Sequence, residues 1–234
     1  MHKLSDKHHY PTVDGALRFF AVRAKGRPET APLVPKVVET RATLREKREA
    51  YLAAYDERVA QTAEIVYLDS RIDRLVLVGL KRDLAVLTAE HPKGAQLEKK
   101  LFQGVAPSVG MKPVASESQE HYVAGIVKRL EDDADFASLA PHAKKLHQGQ
   151  QEIDDALDRR KEARVKERLA QGDLEDALED ARRIYNQLHP QLQLTFPNDP
   201  ALVESYFREL YTKSDEAEGD APDAGGEVGK TDDA

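Results

Sequence analysis

Cysteine and tryptophan are both absent from the 234 residues, methionine occurs twice, and aromatic residues make up only 6%. Without cysteine there are no disulfides, no thiolate-held metals and no thiol nucleophile, which agrees with a reducing compartment. Between Pro35 and Pro92 no proline occurs, and Gly79 is the one glycine from Lys36 to Glu90. Long apolar runs are missing as well. The best, LVLVGL at 75–80, is flanked by Arg74 and Lys81 and falls far short of the ~20 residues that span a bilayer. The amino-terminal MHKLSDKHHYPT carries no apolar signal-peptide core. These absences lead to the expectation of a soluble, cytoplasmic protein that does not enter membranes.

What remains is rich in Ala, Leu, Glu, Lys, Arg and Gln, the strong helix formers, and 33% of the residues are charged. The net charge of −7 is unevenly placed. From Lys213 onward two basic residues face eight acidic ones, a balance of −6, so residues 1–212 are nearly neutral. A segment this acidic and this poor in apolar residues reads as a disordered tail, 213–234.

The fold class expected is all-α: an elongated antiparallel helical bundle or coiled coil. Residues 1–34 form an arm with a short amphipathic helix, DGALRFFAVRAKG, capped by Asp14 and presenting Leu17, Phe20, Ala21 and Ala24 on one face. Residues 35–102 form a first helical unit. Val37, Leu44, Tyr51, Tyr55, Val59, Thr62, Val66, Ile72, Val76, Leu80, Leu84 and Leu87 recur at steps built from threes and fours, which predicts one long helix over 36–90. A hairpin bent near Asp69-Ser70 is the rival, with no Gly, Pro or Asn there to mark it. Residues 103–118 read as a linker that ends in SESQ, the Ser-x-x-Gln spacing of a capping box. Residues 119–212 hold a short helix and a second long run, from Pro141 to the His-Pro at 189–190, with a bend allowed at Gly172. They close with NDPALVESYFREL, which Asp199 should cap. LVP and LAP open the two runs, His-Pro closes both, and LEKKLF and LVESYF follow them. That order points to an internal duplication of a long helix plus a short one.

The chemistry is sparse. AGGEVGKT (224–231) fits the loose phosphate-loop pattern, but that loop needs a strand before it and a helix after it, and an acidic tail supplies neither. His91, His142 and His147 are candidate metal ligands at one end of the bundle. No Glu-x-x-His spacing of a di-metal bundle accompanies them. Basic residues beside Phe19 and Phe20 are too few for a phosphate-binding face, so no nucleic-acid partner is expected. No catalytic motif and no cofactor fingerprint appears. The reading is a non-enzymatic structural or scaffolding protein with protein partners or self-association. Phe20, Leu202, Tyr206, Phe207 and Leu210 are the candidate docking side chains. The alternative is a small-molecule- or metal-binding bundle with a His-lined end.

Overall fold

The computed structural model describes residues 3–92, 94–112 and 115–208. The acidic tail, the phosphate-loop-like stretch and Leu210 lie outside them. Among the described residues every regular element is helical: α1 (Tyr10–Ala24), a 3-10 turn (Ala31–Leu33), α2 (Val34–Arg74), a π-helical stretch (Leu75–Leu80), α3 (Lys81–Glu90), α4 (Gly94–Leu101), α5 (Pro107–Gly110), α6 (Glu117–Asp132), a 3-10 stretch (Ala134–Leu139), α7 (Ala140–Thr195) and α8 (Pro200–Glu204). None of the described helices is long and apolar enough to cross a membrane. The chain is an all-α bundle built on two long helices that pack against each other.

Two compact units divide the chain in space rather than in order. A terminal unit takes the residues up to Arg48 together with those from Asp173 onward, and a central unit takes Glu49–Gly172. Both long helices supply residues to both units.

In the terminal unit, Val13, Ala16, Leu17, Phe20 and Ala24 of α1 follow helical spacing and are buried. They share a core with Val37 and Leu44 of α2, with Tyr185 and Leu188 of α7, and with Val203, Tyr206 and Phe207. Full burial of each large side chain is worth roughly 1.5–3 kcal/mol. Asp14 does not cap α1. Pro11 in the first turn starts the helix at Tyr10, and Asp14 turns outward to Arg41 (Nε 2.8 Å, Nη2 3.0 Å) and Arg45 (Nε 3.1 Å). Two guanidiniums on α2 compete for it better than its own first-turn amides.

The second His-Pro does not stop its helix. α7 runs through Pro190 to Thr195. The proline removes one ladder bond, but Leu192, fully buried just beyond it, and Phe196, packed on the terminal core, hold the next turns in place. At the first His-Pro nothing comparable follows. His91 takes the extended conformation that a proline imposes on its predecessor (φ −95, ψ 137), and α3 ends at Glu90. Asp199 accepts from the Leu202 amide at 2.9 Å as expected of a cap, although α8 extends only to Glu204.

In the central unit, the run from α2 to α3 is continuous through Asp69-Ser70, with no hairpin. Its inward positions step by three and four as far as Ile72, then by four through Val76, Leu80 and Leu84. Four residues overshoot an α turn by about 40°, so repeated steps of four would carry the stripe off the core. The π stretch corrects this. Its wider turn, in which the Lys81 amide reaches back to the Val76 carbonyl, rotates the stripe onto the core again. α4, α6 and the start of α7 close over it with Leu97, Leu101, Phe102, Val123, Ile126, Leu130 and Leu146. Ser116 caps α6 by accepting from the Gln119 amide at 3.3 Å. The expected linker contains the single turn α5. Gly149 lets α7 approach α2: a Cβ there would sit 3.0 Å from Ile72 Cγ1. Gly172, by contrast, introduces no bend in α7.

Candidate functional site

Within the central unit the register of α2 and α7 is written in charge. Glu57, Glu64 and Arg71, seven residues apart, meet Lys166 (2.8 Å), Arg159 (3.0 Å) and Glu152. Numbers rise on one helix as they fall on the other, so the segments are antiparallel. Each of the six residues lies one before a seam position, which puts all three pairs on one flank. Hydrogen bonding to Arg71 lowers the Glu152 pKa, and bonding to Glu57 raises that of Lys166. Such exposed pairs add little stability, but they fix register.

The seam itself is small and polar. Ala54, Arg58 and Gln61 of α2 face inward with Ala156, Arg160, Ala163 and Glu167 of α7, between half-buried and buried. Arg58 donates to Glu167 at 2.5 Å, with side-chain exposures of only 27% and 18%. Tyr55, Val59 and Val66, expected on the inward stripe, stand one residue further round and are exposed.

They belong to the opposite flank. Leu52 (43% exposed), Tyr55 (41%), Val59 (44%) and Val66 (55%) follow the seam positions by one, and Thr62 fills the gap in the series. Tyr67, 66% exposed, extends the patch outward. The charged residues of this stretch, Asp56, Glu57, Arg58 and Glu64, all project elsewhere on the helix. A 15-residue stripe is about 22 Å long. On α7 the matching flank positions are Arg164, Arg168 and Gln171. With Arg58 and Glu167 they line an open groove of about 430 Å³. Three arginines against one carboxylate leave it cationic, and the Arg58 guanidinium lies 5.0 Å from the centre of the Tyr55 ring.

Further along the same flank the protein covers its own helix. Asp69, 4% exposed, accepts from the Ala115 amide at 3.0 Å. Asp73, one turn on, has no such partner for its buried Oδ1. Burial, followed by the nearby Asp69 carboxylate, raises its pKa. The flank is thus closed from Asp69 onward and open from Leu52 to Val66.

The docking side chains expected from sequence are placed otherwise. Phe20, Tyr206 and Phe207 are buried, with Phe207 5.8 Å from Phe20 and 5.5 Å edge-on from Tyr185 between ring centres. Leu202 is half-buried against the same core. The terminal unit uses this face for itself. Beside it, Gly15, Arg18, Phe19, Val22, Arg23 and Arg208 line a second groove of about 510 Å³. Of the histidines, His142 Nε2 lies 2.9 Å from Asp83, His91 3.8 Å from Asp135, and His147 is exposed. Among the described residues no three His, Asp or Glu side chains converge as a metal would require. Comparison of the chain with protein-family models, with curated proteins and with solved structures finds no match.

Proposed function

We propose that the protein is a non-enzymatic interaction protein that docks another helix along the open flank of its central unit. The observation that carries this reading is the inequality of the two flanks of one helix pair. One is closed by three heptad-spaced ion pairs. The other presents Leu52, Tyr55, Val59 and Val66 to solvent at seam spacing. Contiguous exposed apolar residues with a charged rim mark interaction surfaces, and a 3-4 stripe is the shape an incoming helix fills. The cationic groove beside the stripe favours acidic residues at the edge of that helix.

A designed amphipathic peptide with leucines at 3-4 spacing and glutamates beside them serves as probe. Titrated into the full chain, it should bind, and Val59→Glu should weaken binding at least tenfold while leaving helicity unchanged. Raised salt should slow its association, because exposed charges are screened. A peptide that binds wild type and Val59→Glu alike, or neither, would sink the reading.

A further inference from the structure

The open stripe is close to its own mirror in sequence. Read forward from Leu52 through Tyr55, Val59 and Thr62 to Val66, its steps are three, four, three, four; read backward, they are four, three, four, three. An antiparallel copy centred on Val59 therefore sets Leu52 opposite Val66, Tyr55 opposite Thr62, and Val59 opposite itself. That is the self-complementarity an isologous two-fold interface requires. No charge interrupts the stripe, so the superposition brings no like charges together at its centre. The flanks agree as well. In this register a second copy of α2 runs parallel to α7 and brings its Asp56 level with Arg164. Arg164 enters no ion pair among the described residues, and Asp56 is exposed beside the stripe.

From this geometry we infer that the partner helix is α2 of a second copy of the chain, forming a two-fold antiparallel dimer about Val59. The inference rests on the docking reading above and names its occupant. Seam spacing continued across the axis makes a four-helix arrangement of two α2 and two α7 segments, the commonest way for paired helices to bury a second apolar face.

The natural absence of cysteine supplies a direct test. Val59→Cys should oxidise to a disulfide-linked dimer, since the two-fold brings both copies of that position together. Val165→Cys, whose side chain is 55% exposed and points away from the flank, should stay monomeric under the same oxidation. Sedimentation equilibrium of the full chain should give twice 26.1 kDa, and Val59→Glu should return it to 26.1 kDa with its helicity intact. A chain that remains monomeric at roughly millimolar concentration, while still binding the acidic peptide, overturns the second-copy inference and leaves the docking reading standing. Monomer without peptide binding removes both. A dimer that links through Val165→Cys and not Val59→Cys places the contact elsewhere and also overturns the inference.

Discussion

The terminal unit closes on itself and the central unit does not. Around Phe20, Tyr185, Tyr206 and Phe207 the terminal unit gathers four large rings, all buried. Its one deeply placed carboxylate, Asp14, is held by two arginines. The central unit has an aliphatic core over part of its length, then a seam of alanines, arginines and a glutamate. It also leaves Asp73 Oδ1 buried without a partner. The difference shows where contact with other molecules can be added at little cost. An aromatic face already packed inward has nothing left to offer, whereas a stripe that continues a covered flank is half of an interface.

The sharpest way to break this contrast is at the terminal core. Phe207→Ala should destabilise by roughly 3–5 kcal/mol, because the cavity opens among rings that have little room to collapse. Chemical denaturation of the variant measures it. A loss within about 0.5 kcal/mol, as for a surface change, would mean that this core is not the closed one.

The two carboxylates sharpen the comparison through pH. Burial raises the pKa of Asp14, but hydrogen bonds and charge from Arg41 and Arg45 outweigh it, so the net shift is downward. Its contribution to stability is therefore present above the unfolded-state value, near 3.8, and is lost as pH falls through the lower folded value. Asp73 has the opposite sign: burial and Asp69 raise its pKa, so the folded state holds its proton longer. Stability linked to Asp73 is present below the unfolded value and is lost as pH rises through the folded one. Asp14→Ala should cost about 1–2 kcal/mol at pH 7 through two lost charged hydrogen bonds, and much less at pH 3. Asp73→Asn should instead stabilise by about 1 kcal/mol at pH 7, with the gain disappearing at pH 3. Urea midpoints of each variant against wild type at both pH values decide it. Changes of the same sign at both positions would refute the contrast.

Helix content, the continuity of 36–90, and the caps at Ser116 and Asp199 were legible because each depends on neighbours in the chain. The passage through Pro190 was not, since it is decided by Leu192 and Phe196 packing on distant elements. The docking surface was hidden by a reasonable rule applied to one helix at a time. Large apolar residues were ranked as inward, so Tyr55, Val59 and Val66 displaced Ala54, Arg58 and Gln61. A signal was nevertheless present. Glu57, Glu64 and Arg71 complement Lys166, Arg159 and Glu152 when one helix is read backward against the other. Finding it requires both helices at once, because register is a property of the pair.

The smallest expected effect tests how loosely the last turns of the central unit's α7 segment are tied. Gly149 and Gly172 lie on the same helix, and only the first is required by its surroundings. A Cβ at 149 would press on Ile72, whereas one at 172 meets nothing within 4 Å. Gly172 also has no left-handed backbone to maintain, being inside an α-helix. Alanine there removes conformational freedom from the unfolded chain and adds no contact to the folded one. Gly172→Ala should therefore stabilise by roughly 0.5–1 kcal/mol, while Gly149→Ala should destabilise as Ile72 is forced to shift. If Gly172→Ala were destabilising by a similar amount, something would be packed against that turn. The open groove lined by Arg164, Arg168 and Gln171 just before it would then be covered in solution, as a docked second helix would cover it.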